Sequence, residues 1–279
     1  MNKLKSALVA GILLCIPSFV SATDSFIKEY HYDMIDQGVF KSIDASSNAI
    51  KVNGSDIFVS YSTWADTNYS DNDNDDRVVQ QNGLDYSGAD FGYAMRNKDH
   101  GGSLSDWHTI DNNQDDWKFD FDMVLFSFSE DVTLTDTSFK YLTGAGDENQ
   151  LTVVGFDNAD IFKATSSKQT TWTDIASSDA ITSVFHTKIS SSTNGKGNYS
   201  VTYPTTFTEA KYWLVGAYNT FFDPTTSETE ISGSGFKLSA LKFSVDNTPT
   251  TTTDVSEPGA LALLSLGLGL VLYRRKRRA

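Results

Sequence analysis

The stretch Phe119-Asp120-Phe121-Asp122-Met123-Val124-Leu125-Phe126-Ser127-Phe128 sets the tightest limit on what this chain can become. Its odd positions from 119 to 125 are apolar, and its even positions change from acidic to apolar at Val124. Successive side chains of a strand point to opposite faces, so this strand enters from solvent and then becomes buried on both sides. A strand of that kind is an inner strand of a double-layered or closed sheet. It needs neighbours along both edges and cover above and below.

The remaining sequence supplies the neighbours. Asp56 to Trp64 follows an Asn53-Gly54 turn, with Ile57, Val59 and Tyr61 on one face and Phe58, Ser60 and Ser62 on the other. Val132–Leu134, Phe139–Leu142, Leu151–Phe156, Thr182–Ile189, Tyr199–Tyr203 and Tyr212–Tyr218 come next at hairpin-like spacing. Phe236, Leu238 and Ala240 alternate, then Leu241, Phe243 and Val245 alternate one step out of phase; a β-bulge near Ala240–Leu241 reconciles the two halves. No window carries a well-capped amphipathic helix, Thr173 to Ala180 being the nearest. The expected fold is therefore all-β: one β-sandwich or jelly-roll-like domain over residues 23–246, with no helical layer.

Both ends of the sequence read as addresses. Lys3 and Lys5, the apolar run from Ala7 to Ile16 and the small residues Val20-Ser21-Ala22 make a secretory signal peptide over residues 1–22, cut between Ala22 and Thr23. The single cysteine, Cys15, lies inside it, so the processed chain has no disulfide and no thiolate nucleophile. Net charge is −14 for the whole sequence, and more acidic once the basic ends are removed, which repels nucleic acid and anionic lipid. Asn247 to Asp254 is a Thr/Pro linker, and residues 255–279 form a tail. The tail's apolar run, Gly259 to Tyr273, would be a helix of about 22 Å at 1.5 Å per residue, short against a hydrocarbon core of about 30 Å. Arg274, Arg275, Lys276, Arg277 and Arg278 follow it and hold that end in the cytoplasm.

Glu257-Pro258, the Leu/Gly-rich run from Ala260 to Leu270 and the Arg-rich end resemble the PEP-CTERM sorting signal of Gram-negative bacteria, with Ser256 where the motif usually has its first Pro. The resemblance implies transient passage through the inner membrane, processing by an exosortase near Ser256–Pro258, and delivery to the cell surface or medium. A second resemblance lies in the body. Trp107-His108-Thr109-Ile110-Asp111-Asn112, Asp122 to Ser129, Val132-Thr133-Leu134 and Gly146 to Val153 are similar to the central segment of small exosortase-dependent surface proteins. That likeness implies a surface protein, and no enzymatic activity comes with it.

Candidate sites are sparse. His-Glu-x-x-His and Gly-x-Ser-x-Gly are both missing, and His31, His100, His108 and His186 show no metal-type helical spacing. No catalytic residue is assigned. Two acidic runs place oxygen ligands at alternate positions: Asp71, Asp73 and Asp75 in one, Asp111, Asn113 and Asp115 in the other, with Asp120 and Asp122 on the adjoining strand. Alternating carboxylates suit calcium; solvated acidic turns are the other reading. Trp64, Trp107 and Trp117 flank these runs, either as platforms for sugar rings or as plugs at the sheet ends. The expected function is a non-enzymatic structural or binding role at the cell surface, associated with exopolysaccharide. Its rival is a carbohydrate-binding module or glycan hydrolase acting on that polysaccharide.

Overall fold

The computed structural model describes residues 26–66, 77–96, 109–112, 114–115, 118–119, 121–143, 149–164, 170–189, 195–223, 225, 233–247 and 273–274. Along the chain, β1 (Ile27–Asp33) runs into a single helical turn, α1 (Met34–Gln37), and β2 (Ile50–Lys51) and β3 (Phe58–Asp66) follow. Next are β4 (Val78–Gln80), β5 (Gly83–Tyr86), β6 (Tyr93–Arg96), β7 (Ile110–Asp111), β8 (Gln114–Asp115) and β9 (Lys118–Phe119). The 20-residue β10 (Met123–Leu142) leads to β11 (Gln150–Phe156), then to two short helices, α2 (Asp160–Ala164) and α3 (Trp172–Ala176). β12 (Ile181–Lys188), β13 (Gly195–Thr202), β14 (Ala210–Ala217), a 3-10 turn at Thr220–Phe222 and β15 (Gly235–Asp246) complete the order.

Thirteen of these strands join one sheet, in which the strand ladders run antiparallel, and β8–β9 stand apart as a hairpin. β10 is the pivot. Its first part, Met123–Phe128, lies between β3 and β14. Its second part, Thr133–Leu142, lies between β15 and β13. The register with β14 shifts between Ser127 and Val132, where one branch of the sheet gives way to the other. The sequence suggests separate strands at Val132–Leu134 and Phe139–Leu142; the structure makes them one. Ser129, Glu130 and Asp131 are partly or fully exposed between two buried stretches, with no Gly or Pro to turn the chain, so the strand runs on from one branch to the next.

Burial on both faces of this inner strand is confirmed. Val124, Phe126 and Phe128 join a cluster that also takes Phe139 and Leu142 from the second part of β10, Trp213 and Val215 from β14, and Leu241 and Phe243 from β15. Met123 and Leu125, on the opposite face, join Trp64, Val154, Phe156 and Leu214. The cover on that second face corrects the expected lack of helices, because Phe162 of α2 with Trp172 and Ile175 of α3 close it. Thr171 caps α3 in a reciprocal box, its side chain accepting from the Asp174 N–H while the Asp174 carboxylate accepts from the Thr171 N–H. Helices of five residues are too short to write a 3.6-residue period.

The phase change in β15 is a bulge one residue earlier than the sequence suggests. Ser138 faces Ala240 and Phe139 faces Leu238, so Ser239 is the extra residue. The apolar members of both halves, Phe236, Leu238 and Ala240 and then Leu241, Phe243 and Val245, are buried.

By internal contacts the chain divides into two units, Ile27–Asp246 and the pair of end segments Met1–Phe26 with Asn247–Ala279. In the first unit β1 is antiparallel to β15, with Ile27 opposite Asp246. In the second, Tyr273 and Arg274 are exposed and helical. Among the described residues no helix is long and apolar enough to cross a membrane, and residues 259–272 of the tail run lie outside them.

Candidate functional site

Four strands build a groove by their register alone. Asp33 of β1 faces Ala240 of β15, Ala240 faces Ser138 of β10, and Ser138 faces Ser200 of β13. Residues opposite each other on neighbouring strands share a face, so this row puts two small side chains, Ala240 and Ser138, at its centre. His31 flanks the row on one side, Lys140 and Asn198 on the other, and the resulting groove has a volume of about 260 Å³. The bulge at Ser239 and the shift between Phe139 and Tyr141 lie at the same place. Bulges re-aim side chains, and here they open the surface.

The groove is a hydrogen-bonding surface. Asp33 Oδ1 accepts from the N–H groups of Ile35 and Asp36 at 2.9 and 3.2 Å, which caps α1, and its second oxygen has no partner among the described residues. The Lys140 ammonium donates to Asn198 Oδ1 at 2.6 Å. Ser138 Oγ donates to Asp136 Oδ1 at 3.2 Å, and Thr202 Oγ1 donates to the other oxygen of that carboxylate. No sequence motif announces these residues. Their alternation marks them as outward-facing, but strand neighbours this far apart in the chain are invisible until the register is known.

Residues singled out in the sequence are placed less favourably for binding. Trp64 is 1% exposed, its ring centroid lies 5.2 Å from that of Phe162, and its Nε1 donates to Ser62 Oγ at 2.9 Å. A ring so covered has no face for a sugar, so of the two readings of Trp64 the plug holds and the stacking platform does not. Asp111 and Asp122 are brought together: the Asp111 N–H donates to Asp122 Oδ2 at 3.4 Å, and the Asp122 N–H to the Asp111 carbonyl at 2.9 Å. Thr109 Oγ1 donates to Asp111 Oδ2 at 2.5 Å. Between them Asn112, fully buried, donates to the Tyr218 carbonyl and accepts from the Ser234 N–H, tying this segment to the ends of β14 and β15. Among the described residues no group of three or more His, Cys, Asp or Glu side chains could hold a metal ion. Asp71, Asp73, Asp75, Asn113 and Asp120 lie outside those residues, and Asp115 is described only as backbone in β8. Trp107, Trp117, Ala22, Thr23, Ser256, Glu257, Pro258, Arg275, Lys276, Arg277 and Arg278 lie outside them too.

One titratable group sits in a defined network. His186 of β12 lies between Thr152 Oγ1, 2.9 Å from Nδ1, and the Phe222 carbonyl, 3.2 Å from Nε2. A carbonyl only accepts, so Nε2 carries the hydrogen and Nδ1 accepts from the Thr152 hydroxyl, which itself accepts from the Asn219 N–H. Burial disfavours the charged ring and lowers its pKa from 6.5, outweighing the Phe222 carbonyl and the Asp223 charge, which act upward. The unfolded state therefore takes up the proton first, and stability present above pH 6.5 is lost as the pH falls below it. Asp44 titrates in a separate window. Burial alone would raise it, yet hydrogen bonds from Lys163 and Tyr212 hold it below 3.8, so its contribution goes only in stronger acid. Melting temperature should fall as the pH drops below 6.5 in the parent, and fall less steeply in His186→Gln. An equal slope in both proteins would place the proton elsewhere.

No protein-family model, no curated protein and no solved structure matches this chain.

Proposed function

We infer that the chain is an exported surface protein, processed at both ends, whose body has a non-enzymatic structural or binding role in contact with exopolysaccharide. One observation supports this most. The paired strands at the two ends of the body start at Ile27 and stop at Asp246, opposite each other. Cleavage at Ala22–Thr23 and near Ser256–Pro258 would take nothing from either strand. An exosortase cutting near Ser256–Pro258 would leave both paired strands whole. The shared cluster of β3, β10, β14 and β15 side chains further supports a two-layered sandwich, in which the two branches of the sheet face each other across one core.

Mass spectrometry of the surface-exposed protein should find a C-terminus within or next to Ser256–Pro258 and an N-terminus at Thr23. Recovery of peptides containing Arg274 to Ala279 from the mature surface form would leave a retained membrane anchor instead. The carbohydrate-binding reading is favoured by a different observation, the polar groove across β1, β15, β10 and β13.

A further inference from the structure

We propose that the groove bounded by His31, Asp33, Ser138, Lys140, Asn198 and Ser200 binds a neutral polysaccharide, one or two sugar rings of which lie along it. This rests on the surface-protein reading for the ligand's presence, and on the groove itself for its chemistry. Three features of the surface select the ligand.

The first is charge. One acid, Asp33, and one base, Lys140, are the groove's fixed charges, and they cancel within a chain carrying net −14. A polyanion would meet the repulsion of the whole domain with no basic cluster to offset it. A cation would meet Lys140. A neutral ligand meets neither.

The second is the set of hydrogen-bonding groups with capacity to spare. Asp33 keeps one carboxylate oxygen, and the Ser200 hydroxyl and the His31 ring bond to no described residue. Lys140 and Asn198 satisfy each other through one bond, which leaves the Asn198 amide hydrogens and two ammonium hydrogens. Acceptors and donors are thus interleaved over a short distance. Vicinal hydroxyls, each a donor and an acceptor, complement such a surface, whereas an aliphatic ligand would leave its groups unpaired.

The third is shape. The groove is open rather than enclosed, and its 260 Å³ falls below the roughly 300–1,000 Å³ of pockets that engulf a drug-sized ligand. Ile35 and Ala240 give it a small apolar strip against which the C–H face of a ring can rest. An extended polymer passing over the surface fits this geometry better than a free small molecule.

Isothermal titration of the full chain in a sugar-free zwitterionic detergent tests the assignment, using cello-, manno- and xylo-oligosaccharides with oligogalacturonate as the anionic comparison. At least one neutral series should bind and oligogalacturonate should not. Ser200→Trp, at an exposed position, should weaken binding tenfold or more by filling the groove. Asp33→Asn, which keeps a capping oxygen for α1, should weaken it severalfold, with both variants melting within about 2 °C of the parent. If Ser200→Trp fails to fold, Asp33→Asn carries the test. Silence from every neutral oligosaccharide, preference for oligogalacturonate, or unchanged affinity in the folded variants would overturn the proposal. The C-terminus found by mass spectrometry decides the processing reading independently of any of these results.

Discussion

Phe126→Ala lowers the free energy of unfolding by about 3–5 kcal/mol, and with it the melting temperature by roughly 10 °C. Phe126 has no exposed surface and sits in register between Tyr61 of β3 and Trp213 of β14. Removing its ring leaves a void between strands held in register on both sides, which cannot close into it. No disulfide compensates, since the only cysteine is Cys15. Against the 5–15 kcal/mol typical of a folded domain, this loss is large. Thermal unfolding of the purified variant checks it, and a melting temperature within a degree or two of the parent would place residue 126 outside the core.

Gly216→Ala should be of similar size for the opposite reason, excess volume. A Cβ at 216 would lie 2.3 Å from the Asp122 carbonyl oxygen and 2.8 Å from Met123 Cα, backbone atoms at the entry to the neighbouring strand β10. β14 is held on its other side by β11, with Gly216 facing Thr152, so it cannot retreat without breaking that ladder. Overpacking costs about 1–3 kcal/mol and sometimes more, and a backbone clash belongs at the upper end. Gly54→Ala is the control. Gly54 has φ +74° and open space around its Cβ position, so only the left-handed strain of about 1 kcal/mol applies. The two melting temperatures, measured side by side, should separate by several degrees, and equal values would refute the clash.

What could be foreseen from the sequence was periodic. Met123 to Phe128 announces burial on both faces because its alternation fails in a particular direction, and β15 announces its bulge because its phase slips. Trp64 shows the limit of that reasoning. Alternation places it on the same face as Ser60 and Ser62, but what covers that face is Phe162, in a helix of five residues far along the chain. The continuation of β10 through Ser129–Asp131 was equally hidden, since a polar interruption looks the same whether a strand turns back or crosses to another part of the sheet. The groove is the most non-local feature of all. Its floor needs β1 beside β15, β15 beside β10 and β10 beside β13, and no stretch of sequence states any of these neighbours.

The pairing of Ile27 with Asp246 also decides how the body responds to force. A pull between the two chain ends would open the β1–β15 ladder one rung at a time, as a zip opens, because both ends leave from the same edge of it. A pull that enters at Asp246 alone acts differently. That force runs along β15, and antiparallel hydrogen bonds lie across the strand direction. It therefore loads the rungs to β1 and β10 in shear, many at once. A polymer gripped over β1, β15, β10 and β13 would pull against this same strand, so tension between the groove and the Asp246 end would run through β15.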